Sequence, residues 1–374
     1  MQLQINKDVL VNALQKVEKA VGRTTTIPVL SGIYFETTPD ILKLIGTSEE
    51  QTISVEIPVD ETIIVNKPGK IVLAKGITEI VKKLRSNIIS ISTDENTFQY
   101  NVEAGNSKFN FSGYDAEEFP VFSEPSNEPI LEFHYEELKE YVDKLAFAAS
   151  TEEGRPVLMG VQIIGEAGTD QLKFVSTNSY ILSQKVVSKE IKEDVSILPK
   201  ARGLVEALRV FNTSDTIKIF STSTHLIFKS SEVTVLSRLL EGKFPDTSRL
   251  VVTEYKAILE LDKEEVLAAL EQLLIIGQNA QRNSALATLV GENLKIENIS
   301  TELGKAEIEL PLIEMQKHEE NLEVKFAFDV KYMINLIKAT DGNIKIAYVG
   351  NLKPISILGT EANGEYKLIL PIRV

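Results

Sequence analysis

The sequence predicts an α+β protein in which one domain of about 125 residues occurs three times in tandem. Three observations support this prediction. Segments with helical apolar spacing recur at a constant offset of 128 residues, and a second helical segment leads into a β-branched strand in each third of the chain. A Pro-Val-Leu-x-Gly motif appears twice at the same offset. Each copy is therefore predicted to hold two helices and roughly eight short strands.

The first helix of each copy is predicted from apolar periodicity. Leu10, Leu14 and Val17 follow the i, i+4, i+7 spacing of one helix face. Steps of 128 residues from these positions reach only apolar residues, namely Leu138, Val142, Leu145, Val266, Leu270 and Leu273. The predicted helical segments are Asn6–Gly22, His134–Ser150 and Asp262–Gln278. Chance similarity between amphipathic helices is the simpler alternative, but it does not explain a shared offset.

A second helix and a strand follow in each copy. The second helical segments are Ala74–Ser86, Lys200–Asn212 and Asp329–Thr340. They lead into the sequences NIISIST, TIKIFST and NIKIAYV, whose β-branched residues predict strands. Alternating segments such as Phe98–Val102 and Lys108–Phe111 predict further strands, each with one buried face.

The repeated motif follows the first helix. Ile27–Phe35 has the sequence IPVLSGIYF and Arg155–Ile163 has RPVLMGVQI, with Pro, Val, Leu and Gly in the same four places. The third copy, at Ser284-Ala285-Leu286, keeps two apolar residues and lacks the proline. Segments at Phe119–Pro125 and Thr247–Tyr255 separate the copies. The predicted domains are therefore 1–124, 125–250 and 251–374.

Composition narrows the class of protein. The 374 residues include no cysteine, which excludes disulfides, thiolate metal sites and cysteine nucleophiles. No apolar run approaches eighteen residues, and the first residues lack the pattern of a signal peptide. We therefore expect a cytoplasmic protein without a membrane-spanning segment.

Motifs of catalysis and cofactor binding are missing from the sequence. His134, His225 and His318 lie far apart in sequence, without the spacing of a zinc site. Neither a nucleotide-binding glycine loop nor a G-x-S-x-G nucleophile elbow occurs. Acidic pairs such as Glu152-Glu153 fit a solvated surface at this charge. We predict no catalytic residue, no metal and no cofactor.

Positive charge is concentrated in the second helical segments. The chain carries 54 acidic and 40 basic residues, for a net charge of −14. The second helical segments reverse this balance, with nine bases against three acids. The bases are Lys75, Lys82, Lys83, Arg85, Lys200, Arg202, Arg209, Lys331 and Lys338. Ordinary solvated helix faces are one interpretation. A basic surface that attracts a polyanion, with repulsion elsewhere, is the other.

Three tandem α+β domains, a basic helix side and an acidic total charge resemble the bacterial DNA polymerase III β subunit, the sliding clamp. The resemblance covers the whole chain and includes IPVLSGIYF, EGKFPD at Glu241–Asp246 and LILPIRV at Leu368–Val374. It implies a head-to-tail homodimer of two three-domain chains, closed into a six-domain ring around double-stranded DNA. Helices line the hole of such a ring, so the nine bases and Arg23 are expected to face DNA without reading its sequence.

The resemblance also implies a groove that binds a short apolar peptide of polymerase III subunits and of the clamp loader. The expected groove residues are Thr177, Tyr180, Leu182, Pro245, Arg249, Leu250, Leu368, Leu370, Pro371 and Ile372. At the dimer interface, the edge near Phe109 and Phe111 is expected to meet the helix end at Ile275 and Ile276.

The groove loop departs from the family pattern. The family has Thr-Asp-Gly-His-Arg-Leu, whereas this chain has Thr177-Asn178-Ser179-Tyr180-Ile181-Leu182. This departure leaves partner identity open and is compatible with a divergent or second clamp. Two alternatives to a clamp are a scaffold that binds peptides without encircling DNA, and an enzyme of a mechanism that no motif reveals.

Overall fold

Helices and antiparallel sheets make up two compact units in a computed structural model of the chain. The structure describes residues 1–22, 25–94, 97–120, 122, 125, 128–276, 283–299, 304–319, 322–361 and 363–373. The first unit comprises Met1–Leu138 with Gly203–Leu239, and the second comprises Lys139–Arg202 with Leu240–Val374. No helix in the described ranges has both the length and the apolar character needed to cross a bilayer.

The described residues contain six α-helices, two in each predicted copy. They are α1 (Lys7–Glu18), α2 (Ile77–Lys83), α3 (Tyr135–Leu145), α4 (Ala201–Leu208), α5 (Lys263–Ile276) and α6 (Val330–Lys338). All nine positions of the predicted apolar stripe on the first helices are buried, as expected. Burial of that face, together with side-chain caps at the helix starts, explains why these segments are helical. The caps are Asn6, Asp262 and Asp329, whose carbonyl or carboxylate oxygens accept backbone N–H groups.

Lysines at equivalent positions join the helix pairs. Lys7 at the start of α1 donates to the Leu84 carbonyl oxygen after α2, at 2.5 Å. Lys263 at the start of α5 donates to the Thr340 carbonyl oxygen after α6, at 2.6 Å. A cation at a helix C-terminus meets its unpaired carbonyl groups and its negative dipole end. The offset of 256 residues, twice 128, gives the two lysines the same role in copies one and three.

The first unit contains two antiparallel sheets. The five-stranded sheet has the order β5-β1-β7-β8-β9, and the eight-stranded sheet has the order β10-β15-β16-β17-β4-β3-β2-β6. The strands are β1 (Gln2–Asn6), β2 (Ile33–Thr37), β3 (Ile41–Thr47), β4 (Gln51–Pro58), β5 (Ile63–Lys67), β6 (Gly69–Leu73), β7 (Ile88–Thr93), β8 (Gln99–Ala104), β9 (Ser107–Ser112), β10 (Leu131–His134), β15 (Thr216–Ser221), β16 (His225–Lys229) and β17 (Val233–Arg238).

The second unit also contains two antiparallel sheets. Their orders are β14-β11-β12-β13-β26-β25-β24-β18-β22 and β21-β20-β19-β23. The strands are β11 (Gln162–Gly165), β12 (Gln171–Thr177), β13 (Ile181–Ser188), β14 (Val195–Ile197), β18 (Ala257–Leu261), β19 (Ser284–Val290), β20 (Asn293–Asn298), β21 (Glu307–Pro311), β22 (Glu314–Lys317), β23 (Lys325–Asp329), β24 (Ile344–Tyr348), β25 (Ile355–Gly359) and β26 (Glu365–Ile369).

Two strand pairings cross the predicted domain boundaries. β4 of the first copy pairs with β17 of the second, with Val55 opposite Val233. β13 of the second copy pairs with β26 of the third, with Leu182 opposite Leu368. Pairing of these strands satisfies backbone groups that would otherwise lie at sheet edges. The compact units therefore divide the middle copy, and the three-domain division stays a prediction.

The repeated Pro-Val-Leu-x-Gly motif forms a short 3₁₀ turn in both copies. The turns span Pro28–Ser31 and Pro156–Met159, and a strand follows each. A Cβ added at Gly32 would lie 2.5 Å from the Leu73 carbonyl oxygen, and one at Gly160 would lie 2.6 Å from Leu198 Cδ1. The glycine of the motif is thus needed for close approach of the chain, and proline suits the first position of the turn.

One sequence-based expectation about a strand is wrong. β9 was expected to bury one face, but all its residues are exposed or half-buried because it lies at a sheet edge. Glu365-Tyr366-Lys367-Leu368 alternates charged and apolar residues, a pattern typical of a strand with one solvated face. β26 instead buries both faces from Tyr366 to Ile369, because it lies inside the nine-stranded sheet with side chains packed above and below.

Candidate functional site

The helices that carry the predicted basic residues are shorter than the sequence indicated. Gly76 has a φ of 87° immediately before α2, and Leu84 is extended immediately after it. Lys75 and Arg85 therefore flank α2, and Lys200 and Arg209 flank α4 in the same way. Lys82, Lys83, Arg202, Lys331 and Lys338 lie within helices. Four of the nine predicted cations therefore lie beside the helices rather than within them.

Most of these cations are accessible to solvent. Lys82 and Lys200 are half-buried. The exposed ones are Lys75, Lys83, Arg85, Arg202, Arg209, Lys331 and Lys338. Lys82 lies 2.6 Å from a Glu79 carboxylate oxygen, and Lys338 lies 2.8 Å from one of Glu271. The hydrogen bond from Lys82 lowers the pKa of Glu79. The positive charges of these two lysines are thus partly neutralised.

Two further cations, Lys16 and Lys19, lie at the end of α1 and were not in the predicted set. Lys19 donates to the Arg209 carbonyl oxygen at 2.8 Å. Burial lowers the pKa of Lys19, and the nearby charges of Arg209 and Lys16 lower it further. Cations that repel one another are tolerated where an anion is to be bound. The helical spacing of Lys16 and Lys19 was visible in the sequence, but their proximity to Arg209 was not. Arg23 lies outside the described residues.

The predicted groove loop is a tight turn between β12 and β13. The Asn178 side-chain oxygen accepts the backbone N–H groups of Tyr180 and Ile181, at 2.9 and 3.0 Å. The Thr177 hydroxyl donates to the Ile181 carbonyl oxygen at 2.6 Å and accepts the Ser179 N–H. Asn and Thr stabilise turns through such bonds. The loop therefore has a defined backbone that presents Tyr180, 59% exposed, to solvent.

Ser179 adopts a backbone conformation that suits glycine. Its φ is 76°, the only positive φ of a non-glycine residue in the described part of the chain. A Cβ in this region of backbone space costs roughly 1–2 kcal/mol. The family pattern with glycine at this place avoids that strain.

We expect Ser179→Gly to stabilise the protein by about 0.5–1 kcal/mol, because relief of strain exceeds the entropy that glycine loses on folding. The measurement is the urea midpoint of unfolding. Gly168, with a φ of 78° and open space around its Cβ direction, supplies the matched control. Gly168→Ser should destabilise by a similar amount. Destabilisation by Ser179→Gly would contradict the strain assigned to the loop.

An apolar cluster lies beneath the loop. Its buried members are Leu158, Val175, Leu182, Leu198, Phe244, Tyr366 and Leu368. The Tyr366 hydroxyl lies 2.8 Å from the Ser356 hydroxyl, accepts the Val252 N–H at 3.0 Å and donates to the Leu250 carbonyl oxygen at 3.2 Å. These bonds fix the segment that carries Leu250 against the cluster. Leu182 and Leu368, which were predicted to contact a peptide, are buried within this cluster and are not exposed at its surface.

The remaining predicted groove residues are more accessible. Thr177 is buried in the turn, and Pro371 and Ile372 are half-buried. Pro245, Arg249, Leu250 and Leu370 are exposed. Leu370 N–H donates to the Tyr180 carbonyl oxygen, and Ile372 N–H donates to that of Ala327, both at 2.8 Å. The last described residues therefore pass from β13 to β23, with Pro371 between them.

Sequence reasoning missed Tyr332 and Leu158 at this place. Tyr332 lies at the start of α6, and its ring stacks on Tyr180 with centroids 5.9 Å apart and planes 18° apart. Leu158 belongs to the PVLM turn and joins the apolar cluster. The repeated motif singled out Leu158, but no local signal related Tyr332 to the loop.

A buried ion network lies at the start of β26. The Glu365 carboxylate accepts from Lys144 at 2.5 Å, Lys367 at 2.5 Å and Lys185 at 3.1 Å. Lys144 also pairs with Glu140 and Asp341. Burial by itself raises the pKa of Glu365, but the lysine hydrogen bonds outweigh it and lower that pKa to about 2. The ammonium groups of the lysines thus supply positive charge beside the carboxylates of Glu140, Asp341 and Glu365.

The predicted dimer residues lie at two accessible edges. Phe109 and Phe111 lie on β9, the last strand of its sheet, with stacked rings 6.0 Å apart. Ile275 is 63% exposed at the end of α5, and Ile276 is half-buried. The first pair belongs to the first compact unit and the second pair to the second unit.

Family models match two regions of the chain. Residues 1–123 match the family "DNA polymerase III beta subunit, N-terminal domain", and residues 132–246 match its "central domain". The beta sliding clamps of Staphylococcus epidermidis and Staphylococcus aureus are 28% and 29% identical over 381 residues, covering all of this chain and 99% of each relative.

Solved structures show the same fold. The beta subunit of Streptococcus pyogenes DNA polymerase superposes with a TM-score of 0.94 at 26% identity, covering both chains completely. The Bacillus subtilis DNA polymerase sliding clamp gives 0.94 at 28% identity, covering all of this chain and 99% of the other. The fold is therefore a clamp fold of mixed helices and sheets.

The chain belongs to the DNA polymerase III beta subunit family. It is a DNA sliding clamp of bacterial replication.

Proposed function

We propose that two copies of this chain close head-to-tail into a ring around duplex DNA and tether the replicative polymerase to its template. Each chain contributes three domains, 1–124, 125–250 and 251–374, with two helices apiece facing the hole. Such a ring is held by topology and slides, so the chain performs no catalysis and needs no cofactor or metal. It acts in the bacterial cytoplasm.

Exposed cations beside the second helices support this proposal most strongly. They are accessible within a chain whose net charge is −14. Scattered Lys and Arg side chains attract phosphates without reading base edges, which gives weak, sequence-independent binding. Acidic residues elsewhere discourage DNA from binding to the rest of the surface. The adaptor alternative has no comparable observation in its favour.

Two accessible edges support the head-to-tail dimer. β9 exposes a row of backbone groups and the ring of Phe109, with Phe111 half-buried beside it, and the end of α5 exposes Ile275. Unpaired strand edges and exposed apolar residues are typical of surfaces that a partner covers. Contact between these two surfaces on different chains closes a two-fold ring.

Three segments support the proposed peptide groove, namely the loop of Tyr180, the segment of Leu250 and the residues around Leu370. An apolar peptide segment of polymerase III subunits and of the clamp loader binds there, with Leu182 and Leu368 beneath it. Deleting Leu370–Val374 removes one wall of this groove and the binding with it.

Topological retention tests the ring. We expect the protein, once loaded, to stay on nicked circular DNA through gel filtration and to be lost when the DNA is linearised. Ile275→Asp should prevent retention and halve the mass in light scattering, because a carboxylate at the centre of an apolar contact is costly to bury.

Leu352, 62% exposed in the β24–β25 loop, supplies the control. Leu352→Asp should leave both mass and retention unchanged. Equal retention on linear and circular DNA, or a monomeric wild type at micromolar concentration, would contradict the ring.

A further inference from the structure

We infer that the stacked pair Tyr180 and Tyr332, with the carboxylates of Glu152 and Asp329, forms a shelf that binds a cationic side chain, Arg or Lys, of the partner peptide. The inference rests on the proposed peptide groove and names the chemistry of its occupant. Tyr180 and Tyr332 together form the aromatic shelf.

Geometry makes the shelf available to a ligand. Tyr332 covers one face of Tyr180 at a centroid distance of 5.9 Å, and Tyr180 is 59% exposed, so its opposite face is open to solvent. The backbone beneath it is fixed by the Asn178 bonds and by the carbonyl of Tyr180, which accepts the Leu370 N–H. The aromatic shelf therefore adjoins the groove segment at Leu370. A pre-fixed ring costs little entropy on binding.

Charge near the shelf favours a cation. Asp329 caps α6 and accepts the Tyr332 N–H at 3.1 Å. Burial raises the pKa of Tyr332, and the negative charges of Asp329, Tyr180 and Glu152 raise it further. Aromatic faces attract cations through their quadrupole, and nearby carboxylates add to that attraction. The loop from Thr177 to Leu182 contains no basic residue that would repel a cationic peptide.

Arg155 opposes this field. Arg155 Nη1 lies 3.4 Å from the Ser179 hydroxyl, on the loop that carries Tyr180. It lies on the side of Ser179, whereas Asp329 and Glu152 act at Tyr332. Arg155→Gln should therefore strengthen the preference for a cationic peptide.

Peptides that differ at one residue test the shelf. All share one apolar segment and carry Arg, Gln or Glu, in one set immediately before that segment and in another immediately after it. By calorimetry at low salt, we expect one set to bind wild type in the order Arg, Gln, Glu, with about three- to five-fold between Arg and Gln. Salt should shrink this difference.

Two variants weaken cation binding at the shelf while keeping the groove. Tyr180→Leu retains apolar area without an aromatic face, and Glu152→Gln removes one carboxylate. Both should bring the Arg and Gln peptides within two-fold of each other, with the Gln peptide near its wild-type affinity. Leu370→Ala should instead weaken all peptides alike, because it acts on the shared apolar segment.

The outcomes separate the two proposals. Binding of all peptides with equal affinity, or a ranking that survives Tyr180→Leu, would overturn the shelf and leave the groove standing. Failure of every peptide to bind wild type would overturn the groove itself, and the shelf with it.

Discussion

Reversal of three exposed cations, Lys83→Glu, Arg85→Glu and Lys331→Glu, should abolish retention on nicked circular DNA while the dimer persists. Removal of each cation that binds a phosphate lowers the logarithmic salt slope of DNA binding by about 0.9. Replacement by carboxylates adds repulsion, so affinity for DNA should fall by well over tenfold at low salt. Loading assays and salt-dependent anisotropy on duplex DNA measure both effects.

Lys82 and Lys338 are left unchanged in this variant. Each pairs with a carboxylate, Glu79 or Glu271, so reversal at either place would also break a local ion pair. The control reverses three exposed lysines in loops, Lys192, Lys243 and Lys305, for the same change in net charge. It should retain DNA nearly as wild type does. Equal loss in both variants would show that total charge, rather than these helices, governs binding.

Glu365→Gln should destabilise the second compact unit by about 3–5 kcal/mol, the usual effect of breaking a buried ion pair on one side. The Glu365 side chain is 2% exposed and Lys367 beside it is 1% exposed. Removal of the carboxylate charge leaves Lys144, Lys185 and Lys367 facing one another without their shared partner. Urea unfolding at neutral pH measures the change.

Acid should remove the same stabilisation in the wild type. The pKa of Glu365 is lowered to about 2, below its ordinary value of 4.5, so its contribution is present above 4.5 and is lost as pH falls from there toward 2. The difference between wild type and Glu365→Gln should shrink over that range. Glu140, which pairs with Lys144 but is half-exposed, is the control, and Glu140→Gln should cost less than about 1 kcal/mol. A cost for Glu365→Gln as small as that of Glu140→Gln would contradict the network.

Local periodicity was sufficient to find the helices and many strands. The apolar stripe of Leu10, Leu14 and Val17 and its two copies is buried throughout, because a helix face that repeats every 3.6 residues has nowhere else to pack. The sequences NIISIST, TIKIFST and NIKIAYV became β7, β15 and β24, because β-branched residues suit a pleated, buried surface. The ends of α2 depended on Gly76 and Leu84, and apolar spacing does not report such ends.

The candidate sites likewise include some features that the sequence predicted and others that only the structure revealed. The excess of bases in the second helical segments was visible in the sequence, because charge on a helix is local information. The proximity of Lys19 to Arg209, 190 residues apart, was not. The groove loop was located through family resemblance, whereas the left-handed backbone of Ser179 was seen only in the structure. The stack of Tyr180 on Tyr332 appeared only in the fold.

Strand β26 is the clearest example of a feature that the sequence alone does not determine. Glu365-Tyr366-Lys367-Leu368-Ile369 alternates charged and apolar residues like a strand with one solvated face, yet both faces are buried. Its charged residues meet Lys144 and Lys185, which are 221 and 180 residues away from Glu365, and Leu368 meets Leu182. The sequence by itself determined the repeat, the amphipathic helices and the distribution of charge, since these depend on neighbours along the chain. Tertiary structure decided which edges pair across copies and which charges are buried, because those energies arise only between segments that folding brings together.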